Sequence, residues 1–458
     1  MTSRSVHSVG TSPACGQRRA WLEAMLHRNS RSRYLCAFGC PRTEADYLQR
    51  VPIVDYEDLS PLISELMNGE SDVLFNGTPA AFERTGGSSG GSKLIPYSQN
   101  GLLDFQHELA PWLFRTIERH GISGSAYFSI SPVARQHEKI RGLQVGLPDG
   151  AYLGADAGAW LSQRNAVPAS VAEISDTDAW RQITLNHLKA ADDLELISVW
   201  SPTFLLSLFD GIADTQAHWP NLKVISCWAS GSARRYLGDV ISMFPHAIVE
   251  PKGLLSTEAV ITVPDIDGRP RLVQHGYFEF RQAGHCYDAS ELVEKEEYEV
   301  ILSTASGLYR YAGGDRVRCE EASSHGNVVL EFVGRDSMTS DLVGEKLTEA
   351  FVSKCLEDIP GFAMLVPRMA PAGYVLVSDG VFAEGFLREL DTRLRRNPQY
   401  NYARKLRQLT SVSLLTCRTP HEVVEHVMRE RGTRLGDIKP TSLRNEEFWL
   451  PLFMERTR

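Results

Sequence analysis

The hydrophobic and polar positions divide the chain into a helical beginning, a region of buried strands and a turn-rich β region. In the first third, apolar residues recur at helical spacing and predict helices over residues 18–29, 56–69 and 101–121. Short β-branched runs follow at 125–130, 195–200, 222–228, 246–251 and 258–264. These runs are mostly continuous rather than alternating, and helical stretches such as "AWRQITLNHLKAADD" separate them. That arrangement is typical of the buried strands of a layered α/β domain.

From about residue 270 the pattern changes to alternating, turn-rich segments such as "GYFEFRQ", which predict a smaller antiparallel sheet or barrel. Near residue 338 a compact alternation of strand and helix begins, and it predicts a small α+β domain with its own core. The predicted fold class is α/β. It combines a large N-terminal domain of layered α/β sheets and a small β-barrel-like subdomain (18–337), hinged to a mobile C-terminal domain (338–458). Residues 1–17 are expected to be disordered.

Composition and charge narrow the classes of partner. The 458 residues, 43% of them hydrophobic, are enough for two or three domains with a large core. The net charge of −9 gives no electrostatic footprint for nucleic acid. No apolar run approaches the roughly 18 residues of a membrane span. We therefore expect a monomer that acts on small molecules and binds neither nucleic acid nor membrane.

The cysteines and the N-terminus bear on location. The eight cysteines are scattered and indicate reduced thiols in a cytoplasmic protein. The first residues lack the apolar core of a signal peptide, although their arginines, serines and missing acids also fit an organelle transit peptide.

A stretch rich in glycine and serine, "TGGSSGGSK" at residues 85–93, is the strongest candidate for chemistry. A Walker loop needs its lysine directly after the second glycine and a helix behind it, whereas Ser92 intervenes here and "KLIPYS" is typical of a strand. A hydrolase elbow needs a helix after the serine, and Pro96 in the extended segment removes it. The phosphate loop of an adenylate-forming enzyme remains, because glycines allow close approach and successive N–H groups form a concavity for anions.

The stretch resembles the signature T-S-G-T-T-G-x-P-K of the adenylate-forming superfamily, which includes acyl-CoA synthetases, adenylation domains and luciferases. The chain is more similar still to the acyl-acid amido synthetases of the auxin-responsive Gretchen Hagen type and their bacterial relatives. The signature that precedes their loop is echoed at residues 51–75, and "KLIPYS" is their usual exit from it. The resemblance runs from about residue 20 to the C-terminus and is clear only at the motifs.

The resemblance implies a set of ATP-binding residues. In the loop these are Thr85, Gly86, Gly87, Ser88, Ser89 and Gly90, followed by Lys93, which either contacts phosphate or holds the loop. "WASGSA" resembles the turn against adenine and contributes Ser230, Gly231 and Ser232. Leu254 replaces the usual aromatic residue, so adenine stacking falls to another ring, with Tyr236 and Phe278 as options.

Four further segments of the resemblance carry the charged groups. "LLSTEA" implies Thr257 near the α-phosphate and Glu258 as a magnesium ligand. "GLYRYAGGDRVR" implies Asp315 on the ribose hydroxyls. "EFVGRD" implies Arg335 near ribose and phosphate, with Asp336 as the pivot. "LGDIKPTSL" implies Lys439 as the mobile lysine at the α-phosphate, while the role of Lys346 stays open.

The chemistry agrees with these residue types. A carboxylate that attacks an α-phosphate brings negative charges together, so Mg²⁺ and lysines must neutralise them. An aspartate accepts hydrogen bonds and suits two neighbouring hydroxyl donors. Taken singly, each residue also fits an ordinary turn, strand end or solvated surface, and their order along the chain carries the assignment.

The function implied is ATP- and Mg²⁺-dependent conversion of a carboxylic acid to an acyl-adenylate, followed by transfer to an amine, expected to be an amino acid. We predict the acyl pocket between residues 101–121 and 197–210, lined by Trp112, Arg115 and Phe204. Two alternatives stay open. One is transfer to a thiol of coenzyme A or a carrier protein, and the other is a binding protein that has kept the fold and lost the chemistry.

Overall fold

The computed structural model describes residues 13–85, 93–128, 139–147, 149–174, 176–335 and 338–455. Helices and one β hairpin make up the first part. Their bounds are α1 (Pro13–Arg28), α2 (Arg33–Ala37), α3 (Glu44–Arg50), α4 (Tyr56–Met67), β1 (Ala81–Arg84), β2 (Leu94–Tyr97) and α5 (Gln99–His120). The three predicted helices are confirmed as α1, α4 and α5. Gly121 ends α5 in the left-handed conformation that favours glycine, with φ 57°.

Helix α1 begins five residues earlier than predicted, inside the segment expected to be disordered. Its start is held by contacts from distant parts of the chain. Arg18 Nη2 donates to the carbonyl oxygen of Gly326 at 2.8 Å, and Cys15 Sγ donates to Asp288 Oδ1 at 3.1 Å. Local sequence does not reveal such contacts, so the periodicity alone placed the start too late.

A parallel sheet forms the second part, as the continuous apolar runs predicted. Its elements and the short segments around it are β3 (Ser125–Phe128), β4 (Lys139–Ile140), β5 (Leu143–Gln144), α6 (Asp149–Arg164), α7 (Thr177–Ala190), β6 (Leu194–Ser198), α8 (Pro202–Phe209), α9 (Thr215–His218), β7 (Val224–Cys227), α10 (Leu237–Met243) and β8 (Ile248–Pro251). Within the described residues the strand order is β3-β6-β7-β8. Ile197 and Ile225 face one layer of the core, and Leu196 and Val224 face the other, toward α5.

An antiparallel sheet forms the third part, with strands β9 (Thr262–Pro264), β10 (Pro270–Leu272), β11 (Tyr277–Gln282), β12 (His285–Tyr287), β13 (Glu297–Ser303), β14 (Tyr311–Glu321) and β15 (Val329–Arg335). In the described part of the chain their order is β12-β11-β13-β14-β15-β10-β9. The prediction grouped β9 with the strands of the layered α/β region, but β9 pairs with β10 through Val263 opposite Arg271. Strand partners are set by long-range pairing, which a local apolar run does not specify.

The last part is the predicted α+β unit. Its elements are β16 (Thr339–Ser340), β17 (Leu347–Thr348), α11 (Glu349–Cys355), β18 (Ala363–Met369), β19 (Ala372–Ser378), α12 (Phe386–Leu394), α13 (Pro398–Lys405), β20 (Ser413–Thr416), α14 (Pro420–Glu430) and α15 (Trp449–Glu455). Leu365, Leu376 and Leu390 belong to a core that this part builds by itself. Its other face, with Met364 and Val377, packs in the same core as Phe204. The α/β fold class is confirmed, and a domain boundary at 337/338 stays a prediction.

In the stretches of chain that the structure describes, helices long and apolar enough to cross a membrane do not occur.

Candidate functional site

A cavity of about 360 Å³ lies where α5, the carboxyl ends of β6 and β7, the antiparallel sheet and the C-terminal part meet. Open α/β sheets place their ligand sites at the carboxyl ends of the strands. Most of the predicted site residues that the structure describes line this cavity. They are Thr85, Trp112, Ser230, Ser232, Thr257, Glu258, Asp315, Arg335 and Lys439.

The hairpin β1–β2 carries the predicted phosphate loop between its strands, as expected for a loop with extended segments on both sides. The base of the loop is closed by two hydrogen bonds. Thr85 N donates to the carbonyl oxygen of Lys93 at 2.9 Å, and Lys93 N donates to Thr85 Oγ1 at 3.1 Å. The Lys93 ammonium lies 5.1 Å from the centre of the Tyr56 ring. Gly86, Gly87, Ser88, Ser89 and Gly90 fall outside the described residues.

The segment 252–258 carries Glu258 to the cavity wall through a tight turn. Gly253 has φ +76°, and a Cβ there would come within 2.4 Å of the carbonyl oxygen of Thr262, so the turn requires glycine. Tyr97 Oη donates to the carbonyl oxygen of Thr257 at 2.5 Å and fixes the residue before the carboxylate. Glu258 is buried, with 8% of its surface exposed.

Glu258 also decides whether the site fits Mg²⁺. Among the described residues, groups of three or more potential metal ligands do not occur. A single carboxylate is nevertheless the donor set that Mg²⁺ commonly takes from a protein when phosphates and waters complete its octahedron. Glu258 therefore fits a magnesium ion that is shared with a triphosphate.

Asp315 and Arg335 are register partners on β14 and β15. Arg335 Nε donates to Asp315 Oδ1 at 2.5 Å, and Arg335 Nη2 lies 3.4 Å from Oδ2. The attraction of Asp315 raises the pKa of the Arg335 guanidinium. The pair places a buried carboxylate and a permanent cation side by side in the cavity, as ribose and phosphate recognition would require.

Lys439 reaches the same cavity from the C-terminal part, two residues after the short 3-10 helix Leu435–Asp437. Its ammonium lies 5.3 Å from the centre of the Trp228 ring. Loss of hydration, followed by the repulsion of Arg335, lowers the pKa of Lys439 to about 8, against the attraction of Asp315 and Glu258. The structure thus brings together the four charged groups that the sequence scattered over about 180 residues.

The turn after β7 forms the 3-10 helix Gly231–Tyr236. Gly231 has φ +55°, and a Cβ there would lie 3.1 Å from the Phe332 ring. The Ser232 hydroxyl donates to Glu349 Oε1 at 2.6 Å and lies 2.9 Å from Ser442 Oγ. Ser232 lines the cavity, yet its hydroxyl is occupied in a polar cluster that joins this turn to the C-terminal part.

Two predicted acyl-pocket residues lie elsewhere. Phe204 on α8 is 2% exposed and packs on Trp180, 5.7 Å between ring centres, in the core on the opposite face of the parallel sheet. Arg115 on α5 is exposed and is not among the described residues that line the cavity, whereas Trp112 and Thr116 are. Both assignments to the acyl pocket are wrong, because the sequence does not show which way α8 and the margin of α5 face.

The options for adenine stacking are wrong as well. Tyr236 and Phe278 are 4% and 2% exposed and lie outside the described lining of the cavity. Phe332 on β15 does line it, beside Gly231. Lys346 is exposed in the turn between β16 and β17. Phe332 lies three residues before Arg335 in the alternating run "EFVGR". This closeness to a predicted ATP-binding residue could have marked Phe332 as a candidate.

The cavity also holds residues that the sequence analysis missed. Ser198, Trp200, Ser226 and Lys252 line it, all from the carboxyl ends of β6 and β7 and the residues just beyond β8. The alternation of side chains along the strands could have revealed them. Ser198 pairs with Ser226, and Ser226 with Glu250, so these positions share one face of the sheet. A lysine two residues after Glu250 continues that face.

Comparisons with known proteins identify the family of the chain. The sequence profile of the GH3 family N-terminal domain matches residues 10–216, and that of the GH3 family central domain matches residues 271–335. Together they span more than half of the chain. A putative indole-3-acetic acid-amido synthetase, GH3.10 of Oryza sativa subsp. japonica, is 24% identical over 76% of this chain and 84% of its own. A 4-substituted benzoates-glutamate ligase of Arabidopsis thaliana, GH3.12, is 36% identical over 19% of this chain and 16% of its own.

Solved structures carry the same fold. The GH3.15 acyl acid amido synthetase in complex with 2,4-DB superposes with a TM-score of 0.82 at 18% identity, over 97% of this chain and 94% of that one. A 2-hydroxyisobutyryl-CoA ligase in its postadenylation state superposes with a TM-score of 0.58 at 14% identity, over 100% of this chain and 96% of that one. These similarities extend over the C-terminal part, which neither family profile matches.

Proposed function

The chain belongs to the GH3 family, and from that premise we propose that it is an AMP-forming acyl acid amido synthetase. It activates a carboxylic acid with ATP as an acyl-adenylate and transfers the acyl group to an amine, an amino acid by analogy with the named ligases. The single observation that carries the proposal is the meeting of Glu258, Asp315, Arg335 and Lys439 around one cavity that continues into an apolar and aromatic pocket.

The residues divide the first step between them. Asp315 accepts hydrogen bonds from the ribose hydroxyls. Arg335, which donates to Asp315 in the structure, directs one or more of its N–H groups to ribose or phosphate when ATP binds. Phe332 provides the flat apolar surface beside Gly231 on which adenine packs. Thr85 and the loop that follows it hold the outer phosphates.

Lys439 supplies positive charge where the carboxylate meets the α-phosphate. Two anions repel as they approach, and a preorganised ammonium lowers the energy of that encounter more than it lowers the energy of the separated reactants. When bound, Mg²⁺ held by Glu258 supplies further charge neutralisation at the triphosphate. The bond that forms joins a carboxylate oxygen to the α-phosphorus, and the bond that breaks releases pyrophosphate.

The second step needs the amine to reach the acyl carbon of the adenylate. Glu349, Ser232 and Ser442 form a polar contact between the turn after β7 and the segment that carries Lys439. We propose that rotation of residues 338–458 breaks this contact after adenylation and opens a path for the amine. The amine displaces AMP, and its proton leaves to solvent.

The proposal also covers the location and the oligomeric state of the protein. We propose a monomer in the cytoplasm with small-molecule substrates. All eight cysteines are free, which supports a reducing location.

The test is exchange of labelled pyrophosphate into ATP across a panel of carboxylic acids, followed by mass spectrometry of products formed with an amino-acid mixture or with coenzyme A. We expect acid-dependent exchange and an amide product. Both should form more slowly when Lys439 is replaced by alanine. The proposal would be contradicted if none of the acids in the panel supported pyrophosphate exchange. A thioester in place of an amide would move the chain to the other predicted acceptor class.

A further inference from the structure

The acyl end of the cavity has a polar base, formed by Ser198, Ser226, Lys252 and Trp112, which we call the polar floor. Ser198 and Ser226 are register partners on β6 and β7, and Lys252 follows β8 on the same face. Trp112 covers them from α5. These four residues line an otherwise apolar region that includes Phe105, Leu109 and Leu196.

The polar floor lies on the far side of two tryptophans from Lys439, one of the charged groups (with Glu258, Asp315 and Arg335) that mark the nucleotide end of the cavity. Ser226 precedes Trp228 by two residues, about 7 Å along an extended chain, and Trp228 is the ring that Lys439 contacts. Trp200 and Trp228 lie with their ring centres 6.0 Å apart, Lys439 against Trp228 and Lys252 against Trp200. An acid whose carboxyl group meets Lys439 can therefore extend along the two tryptophans toward the polar floor.

The polar atoms of the floor offer hydrogen-bond donors. The Lys252 ammonium, on a side chain that is 4% exposed overall, donates to Ser198 Oγ at 2.7 Å and lies 5.1 Å and 4.9 Å from the Trp112 and Trp200 ring centres. Trp112 and Ser226 are 9% and 3% exposed. Within the described residues, Trp112 Nε1 and Ser226 Oγ have no hydrogen-bond partner. Unsatisfied buried donors are costly, and a bound acceptor removes that cost.

One carboxylate on the same face of the sheet, Glu250, is satisfied by groups on α5. Glu250 accepts a hydrogen bond from Thr116 Oγ1 at 2.8 Å, lies 2.9 Å from His120 Nε2 and is 3.5 Å from Arg119 Nη1. These partners come from α5 and surround Glu250 on the helix side. Trp112 Nε1 and Ser226 Oγ, the two atoms of the polar floor without a hydrogen-bond partner among the described residues, are suited to an acceptor from the substrate.

We infer that the polar floor selects acids that carry a second oxygen acceptor, a hydroxyl, a carbonyl or another carboxylate, at the end remote from the carboxyl group that reacts. The body of such an acid packs in the apolar region lined by Phe105 and Leu109, and Lys252 is the specificity-determining residue. This inference rests on the proposed function for its reaction, but the pocket that it describes can be measured without that reaction.

The test compares 4-methyl-, 4-hydroxy- and 4-carboxybenzoic acid, and the corresponding phenylacetic acids, by acid-dependent pyrophosphate exchange. Methyl and hydroxyl groups are nearly equal in size, so their ratio of kcat/KM reports the hydrogen bond. We expect the native chain to favour an acceptor-bearing acid by about tenfold or more in at least one series, since a hydrogen bond to a charged group is typically worth such a factor. Lys252→Met should remove most of that preference and bring the ratio close to one.

The matched control is Lys223→Met, the same chemical change at the opposite end of β7, where the lysine is half-buried and paired with Glu195. It should leave the ratio unchanged. Trp112→Phe keeps an aromatic ring, removes the Nε1 donor and should lower the ratio several-fold, which provides a second reading if Lys252→Met does not fold.

Two outcomes overturn the inference: a native preference for the methyl acid, or no preference, in both series, or an equal loss for every acid in Lys252→Met. Calorimetric titration of the same acids without ATP separates this inference from the proposed function. A chain that binds the hydroxy acid more tightly than the methyl acid yet exchanges no pyrophosphate contradicts the proposed function and supports the polar floor.

Discussion

The two ends of the cavity are built in different ways. At the nucleotide end, Glu258, Asp315 and Lys439 each sit in or beside a short motif, and the fold brings three distant segments together. At the acyl end, Ser198, Ser226 and Lys252 come from alternate positions on neighbouring parallel strands, with no motif around any of them. The residues proposed for the reaction thus lie in recognisable segments, whereas those proposed for substrate selection are spread over one face of a sheet.

The comparison is tested most strongly at Lys439. We expect Lys439→Ala to lower the rate of acid-dependent pyrophosphate exchange by about 10²-fold or more, because the site loses a preorganised cation. Lys405→Ala, at an exposed lysine in the last turn of α13, is the matched control and should keep the native rate. Equal rates in the two variants would remove Lys439 from the chemistry and leave the nucleotide end without its mobile cation.

The next effect concerns the ribose. Asp315→Asn should raise the KM for ATP roughly 10- to 100-fold, because charge-assisted hydrogen bonds to the ribose are lost. The native enzyme should also discriminate against 2′-deoxy- and 3′-deoxy-ATP, and the variant should lose that discrimination. Asp192→Asn, at an exposed aspartate, is the control. Discrimination that persists in Asp315→Asn would assign the ribose to another residue.

The pH dependence of kcat/KM tests the role of Lys439 at the nucleotide end with the native substrate. Lys439 acts in its protonated form, and its pKa is lowered to about 8. The charged fraction therefore falls as pH rises through 8, and kcat/KM for ATP should decline about tenfold for each further pH unit. In Lys439→Arg the guanidinium stays charged, so the decline should move to higher pH. A decline at the same pH in both forms would point to a different group.

The smallest expected effect separates the two predicted acyl residues. Trp112→Leu should raise the KM for the acid about tenfold, because an aromatic wall of the cavity is lost. Phe204→Leu should leave that KM unchanged and instead lower the free energy of unfolding by roughly 1–2 kcal/mol, since Phe204 packs in the core. Acid kinetics and denaturant unfolding on both variants make the check. An acid KM that rises in Phe204→Leu would return α8 to the pocket.

Sequence patterns predicted most of the nucleotide end. Five residues predicted from motifs line the cavity, namely Thr85, Glu258, Asp315, Arg335 and Lys439. Motif residues keep their place relative to turns and strand ends, and the sequence therefore indicates them well. Phe332 was missed because a ring in an alternating strand has two possible faces, and only the sheet decides which one is used. Ser232 shows the limit of motif reasoning, since its hydroxyl is occupied by Glu349 of the C-terminal part.

The acyl pocket could be predicted only in outline. The predicted walls were residues 101–121 and 197–210, and Trp112 and Trp200 from these segments line the cavity. Phe204 and Arg115 were assigned wrongly because apolar content and helical spacing do not reveal the side of the sheet on which a helix packs. Lys252 went unnoticed because a single lysine after a strand resembles any solvated strand end.

By itself, the sequence determined the α/β class and the order of the segments, because periodicity and turns are local properties. Its short motifs indicated the charged groups only through their resemblance to a known family. The tertiary structure decided which side chains share one space: the pairing of Asp315 with Arg335, the approach of Lys439 that lowers its pKa, and the registration of Ser198 and Ser226 above which Lys252 projects. These are contacts between positions far apart in the chain, and their free energies depend on burial and distance, which the folded structure sets.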